Sequence, residues 1–148
     1  MKKMLFFALV ILSTLNVTAQ FYIATQRERD QRLNDLYCSG LFEGTHGTII
    51  DLSDHTSVQS YLNILDWLQG RVAGLQIYTN RNGNRVPFIR GTQANIYLNE
   101  MLVDPGLLSM ISVNDIAMIK VIKGPFAGGI GANGVVAVYT WRGGEWAE

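Results

Sequence analysis

The stretch from Ile111 to Arg142 restricts the fold more than any other part of the chain. Ala117 to Lys123 and Val135 to Trp141 are runs of branched apolar residues at strand length. Between them lie Gly124, Pro125, Gly128, Gly129, Gly131 and Gly134. Glycines at that density serve positive φ angles and close backbone approach rather than side-chain chemistry. Ser112, followed three residues later by Asp115, marks a helical start, an acidic variant of the capping box. The segment therefore predicts one helical turn, a strand, a glycine-rich reversal and a second strand.

Gly129, Gly131 and Gly134 match the dinucleotide spacing G-x-G-x-x-G. That spacing binds a pyrophosphate only where a strand precedes it and a helix follows. Here Val135 to Thr140 follows, which is strand-like, so the glycines are read as a structural turn. A phosphate-cradling loop is excluded as well, because no Gly-Lys-Ser/Thr follows them.

Met1 to Ala19 reads as a secretory signal. Lys2 and Lys3 supply its positive end, and Met4 to Leu15 is an apolar run too short to span a bilayer comfortably. Cleavage is expected between Ala19 and Gln20. The chain holds 12 basic and 12 acidic residues. Removing the two leader lysines from the 12 leaves 10 basic against 12 acidic, a balance with no polybasic footprint for nucleic acid. The remaining 129 or so residues suit one domain that buries about two-thirds of its chain surface. The single cysteine, Cys38, forms no internal disulfide and is expected to be buried or partly buried.

Phe21 to Thr25 is a short β-prone tail able to add as a strand to a partner's sheet. Gln26 to Phe42 has helical spacing, with Leu33, Leu36 and Tyr37 on one side and a charged, solvated face opposite. Gly47 to Asp51 suits a short strand. A second helix is expected over about Ser57 to Gln69, with Tyr61, Ile64, Leu65 and Leu68 as its apolar stripe. Leu75 to Thr79 alternates as a strand, and Asn80 to Asn84 contains the turn pair Asn82-Gly83. Val86 to Arg90 reads as a further strand, in which Pro87 argues for an edge or a strand start. Asn95 to Leu98 and Met101 to Val103 form a hairpin about Asn99-Glu100. Asp104-Pro105 opens a short helix through about Met110. The order predicts an α+β domain with a mixed sheet, flanking short helices and strand edges that need covering.

No catalytic constellation stands out. Neither His46 nor His55 has a recognisable group to orient it as a base for Cys38. Asp51, Asp54 and the two histidines cluster within ten residues but match no established metal-ligand spacing. No catalytic residue, cofactor or metal site is assigned.

Several motifs in order resemble the plug domain of TonB-dependent outer-membrane receptors, especially the SusC-like nutrient importers. Leu68-Gln69-Gly70-Arg71-Val72-Ala73-Gly74-Leu75-Gln76-Ile77 is similar to the plug signature. Ile89-Arg90-Gly91 resembles the I-R-G element, and Ile96 through Val103 resembles the Y-V-V-D-G-V-P hairpin, with Asn99-Glu100 in place of Asp-Gly. Asn114-Asp115-Ile116, Ile119 to Gly124 and Gly131 to Val136 resemble the family's final run. Together these cover roughly Leu62 to Gly143.

The resemblance implies a small α+β plug that fills a barrel of 22 strands and carries no catalysis. Substrate outside and TonB inside then rearrange it. It implies architectural roles for Gly70 and Gly74 at a helix end and in tight packing, and for Gly131 and Gly134 in the terminal turn. Arg90, beside Gly91, and Lys123 are then placed for charge-assisted hydrogen bonds, and Asp115 for a cap or a pairing with one of them. The expected organisation is a signal over 1–19, a helical extension over 20–58, a plug-like domain over 59–143 and a short tail over 144–148. A membrane barrel needs several hundred residues of alternating strands, so the transport pore is expected from another protein. The expected role is an exported plug-like module at the periplasmic face of the outer membrane. It would partner an outer-membrane or periplasmic protein in nutrient uptake. The alternatives are a free periplasmic ligand-binding or adaptor domain, or a receptor remnant.

Overall fold

The computed structural model describes residues 22–53, 55–124 and 134–142. The chain divides into two units, Met1–Arg32 and Leu33–Glu148. In the smaller unit the described residues, 22–32, are helical and mostly exposed. Tyr22 to Thr25 are therefore helical rather than strand-like. Three of these four residues are β-prone, but a helix supplies backbone hydrogen bonds locally, whereas a strand needs a partner edge.

In the larger unit, residues 33–37 are helical (α1). Eight strands follow among the described residues: β1 (Thr48–Asp51), β2 (Leu75–Thr79), β3 (Arg85–Ile89), β4 (Thr92–Gln93), β5 (Asn95–Leu98), β6 (Met101–Val103), β7 (Ile116–Ile122) and β8 (Val135–Thr140). Five of them form one sheet in the order β1-β7-β8-β5-β6. β5 and β8 run parallel and the other neighbours antiparallel, so the sheet is mixed. The edge strand β1 lies within the stretch expected as the helical extension. β2, β3 and β4 form a separate antiparallel sheet.

The branched runs at 117 and 135 become the sheet centre because both of their faces are covered. All seven residues of β7 are buried, as are all but Thr140 of β8. One face carries Ile119, Val121, Val136, Val138 and Ile96, packed with residues of the small sheet and of helix α2 (Ile64–Leu68). The other carries Met118, Ile122, Val135, Ala137, Tyr139 and Tyr97, covered by Tyr37, Cys38 and Phe42.

The helix expected over 57–69 is broken. A 3-10 turn spans Thr56–Ser60, Tyr61 and Asn63 are extended, and α2 starts at Ile64. Asn63 explains the break: its side-chain oxygen accepts the Leu65 N–H at 2.9 Å, a cap that competes with continuing the helix. Ile64, Leu65 and Leu68 keep their buried stripe, while Tyr61 leaves it.

Pro87 lies in the middle strand of the small sheet rather than at an edge. The Arg90 N–H donates to the Gly74 carbonyl, so hydrogen-bonded pairs fall on alternate positions from there. Ile77↔Pro87 is then a pair that needs no N–H from Pro87. On its other side β4 pairs only with Phe88 and Ile89, and Pro87 merely accepts from the Ala94 N–H. The proline is tolerated because it ends that pairing.

The hairpin about Asn99-Glu100 forms as expected, with both residues at positive φ, +47° and +68°. A helix α3 (Pro105–Leu108) follows, capped by Asp104, whose carboxylate accepts the Gly106 N–H at 2.8 Å.

Candidate functional site

The motif glycines fall into two physical kinds. Gly70, Gly74 and Gly91 have φ of +79°, +82° and +81°, and a Cβ on any of them would meet nothing within 4 Å. They are required for backbone conformation, and packing adds nothing at Gly70 or Gly74. Gly134 is the reverse. A Cβ there would lie 2.7 Å from Ile89 Cδ1, 2.9 Å from the Ile122 carbonyl oxygen and 3.0 Å from Ile89 Cβ. It is required for close approach.

These contacts join the motifs in space. Gly74 binds Arg90 through the backbone at 3.1 Å, and Gly134 presses on Ile89 while its carbonyl accepts the Asn95 N–H. Arg90 itself is at φ +53°, in the turn between β3 and β4. Arg90 and Asp115 are exposed and Lys123 is partly exposed. Their side chains make no hydrogen bond to another described residue. Asp115 contributes through its backbone, accepting the Trp141 N–H at 3.0 Å. Gly131, Ala19 and Gln20 lie outside the described residues.

The buried polar chemistry lies elsewhere, on the sheet face that packs against residues 33–43. Lys120 is 1% exposed. Its ammonium donates to Asn34 Oδ1 at 2.5 Å and to the Phe42 carbonyl at 2.6 Å. Burial pushes its pKa down, opposed by the nearby Cys38 and Glu100. Burial pushes the Cys38 thiol up, partly offset by its hydrogen bond with Tyr139 and by the Lys120 charge. Burial is also the main reason that Tyr139 is raised, with Cys38 and Glu100 adding to it. The Glu100 carboxylate accepts the N–H groups of Ser39 and Leu41 at 3.0 and 3.1 Å. Arg142 donates to the Tyr37 carbonyl at 2.9 Å.

Lys120 stands in the same motif as Lys123, the lysine for which the family resemblance implies a role. A signal was present: Met118 and Ile122, two residues either side of it, place Lys120 on an apolar strand face. Asn34, Glu100 and Arg142 carry no such signal, since chain folding alone brings them there. Cys38 is buried, in line with the expectation.

A different part of the surface is apolar and, among the described residues, carries an open sheet edge. β6 ends the five-stranded sheet, with Met101 64% and Leu102 58% exposed. Leu107 and Met110 follow close by in sequence and are exposed too. A groove of about 490 Å³ beside them is lined by Leu98, Asn99, Met110, Ile111, Asp115 and Trp141, among others. Such an edge offers backbone pairing and apolar contact to another chain. Among the described residues no three of His, Cys, Asp and Glu converge as metal ligands. His55 instead packs on the Trp67 ring at 5.3 Å. No helix among the described residues is long and apolar enough to cross a membrane.

Comparison with known proteins bears on this architecture. No curated protein sequence matches the chain. Among solved structures, the chain is similar to the RagAB peptide importer in its closed-closed state. The TM-score is 0.53 at 25% identity, over 66% of this chain and 12% of the importer chain. It also shares the fold of the ferric enterobactin receptor PfeA of Pseudomonas aeruginosa, with a TM-score of 0.52 at 22% identity, over 67% of this chain and 18% of the receptor. The chain thus matches less than a fifth of either protein's length. The family model for the TonB-dependent receptor plug domain matches residues 48–138, from β1 to within β8. The chain belongs to the TonB-dependent receptor plug domain family.

Proposed function

We propose that this chain is a non-catalytic plug module of the Gram-negative cell envelope that docks with an outer-membrane barrel or receptor protein in nutrient uptake. The observation that carries the reading is the plug match across the sheet together with the open β6 edge and its exposed Met101 and Leu102. A plug needs polar and apolar groups facing its surroundings, and the exposed Arg90 and Asp115 and the partly exposed Lys123 supply polar ones. Similarity to a peptide importer supports uptake of nutrients over signalling alone. In this reading the leader is cleaved between Ala19 and Gln20, and the module over about residues 59–143 works at the periplasmic face of the outer membrane.

The test is crosslinking and pull-down of the tagged chain from membrane and periplasmic fractions, read by mass spectrometry. Recovery of one barrel protein in equal amount is the expected result. It should be weakened by Leu102→Asp at the β6 edge. Recovery only as a free periplasmic monomer would overturn the docking and leave the adaptor alternative.

A further inference from the structure

Three side chains of the five-stranded sheet reach across to hold one segment. Lys120 comes from β7, Glu100 from the turn between β5 and β6, and Arg142 from just after β8. Their partners are Asn34 and the backbone of Tyr37, Ser39, Leu41 and Phe42. Beneath the segment lie Tyr97, Met118, Ile122, Val135 and Ala137. The bonds of β7 with β1 and β8 run within the sheet and do not involve it.

Glu100 is an unexpected residue for its place. A φ of +68° is strained for a residue with a Cβ, and strain of that kind persists only where the surroundings impose it. The hydrogen bonds of its carboxylate with described residues go to Ser39, Leu41 and, at a long 3.4 Å, Tyr139. Lys120 also works against tight closure. Its buried ammonium faces two neutral oxygens and regains water when the segment lifts.

We infer that residues 33–43 form a strap that opens from the sheet as a unit while the rest of the domain stays folded, and that Glu100 is the strained latch that sets how often it opens. Opening bares the apolar face around Met118 and Ile122, so the latch controls when that face is available. Local opening below the cost of global unfolding is a general property of folded domains. The inference stands apart from the identity of any docking partner.

Cys38, the single cysteine, belongs to the strap, is 2% exposed where it packs on the sheet, and reports the strap's opening. The experiment labels Cys38 of the full chain with an aromatic disulfide reagent, in urea concentrations below the unfolding transition, with circular dichroism run in parallel. The wild-type thiol should react faster than global unfolding allows, with a shallow dependence on urea. Glu100→Gly relieves the φ strain and removes the latch. It should label about tenfold faster, equivalent to about 1.4 kcal/mol, with an unchanged or higher unfolding midpoint. Glu100→Gln keeps the backbone strain but loses the charge, and should also label faster. Labelling of the wild type that follows the global urea dependence would overturn the strap. Wild-type labelling rates in both variants would overturn the latch.

Discussion

Gly134→Ala isolates close approach from backbone conformation. The new methyl would sit 2.7 Å from Ile89 Cδ1 and 2.9 Å from the Ile122 carbonyl oxygen, where ordinary contacts begin at 3.4 Å. The Cδ1 is the end of a flexible side chain and gives way easily. The carbonyl is backbone at the last residue of β7, and Ile89 Cβ at 3.0 Å is equally fixed. Overpacking of this kind costs about 1–3 kcal/mol. With a urea m-value of roughly 1–2 kcal/mol/M for a domain of this size, the midpoint should fall by roughly 1 M with m unchanged. Ile89→Val deletes only the yielding Cδ1 and leaves the carbonyl and Cβ contacts in place, so the double variant should stay within about 0.5 kcal/mol of additivity. Gly44→Ala is the control. Its Cβ meets nothing within 4 Å and its φ is not positive, so it should be neutral or stabilise by about 0.4–1 kcal/mol. Equal midpoints for Gly134→Ala and the wild type would refute the contact argument.

Three further outcomes are expected. Lys120→Met should unfold in urea within about 1 kcal/mol of the wild type, because an apolar chain of like length avoids burying a charge. The Phe42 carbonyl also keeps its bonds from Thr45. Lys120→Ala should instead lose roughly 2–5 kcal/mol through the cavity it leaves. Asn63→Ala removes the α2 cap and the bond to Ser109, and its urea midpoint should report a loss of about 1–2 kcal/mol. Stability should fall in alkali. Burial raises Cys38 above its ordinary 9.0 and Tyr139 above 10.0, so the unfolded chain releases those protons first. Their contribution is complete below about pH 9 and is lost as pH climbs through the folded-state values. Lys120 opposes this, since a pKa held below 10.5 returns stability as pH rises toward that value. Tyr139→Phe should therefore flatten the alkaline decline in a series of urea midpoints, and an unchanged slope would contradict the assignment.

Much of the fold was legible in local pattern. The runs at 117 and 135, the Asn82-Gly83 turn, the Asn99-Glu100 hairpin and the Asp104-Pro105 start all formed where residue chemistry placed them. Periodicity, turn residues and caps are local physics, readable a few residues at a time. The helix expected over 57–69 failed because a side-chain cap at Asn63 is a local competitor that a count of apolar spacing does not weigh. The motif order was enough to identify the plug, because short elements in a fixed sequence specify a topology even when each is weak.

Tertiary structure alone decided which charges matter. Lys120 and Lys123 sit three residues apart on similar neighbours, yet one is buried and the other partly exposed. The strand's alternation sends Lys120 to the face on which residues 33–43 lie, and that segment lies 78 residues from Lys120 at Phe42. The same is true of Glu100, whose backbone partners are 59 and 61 residues away. Gly134 likewise meets Ile89 only because β8 runs beside β5 and closes on the small sheet. The sequence by itself determined most of the strands and turns, and the family. Contacts between elements distant in the chain decided the buried lysine, the strained glutamate and the glycine that admits no side chain.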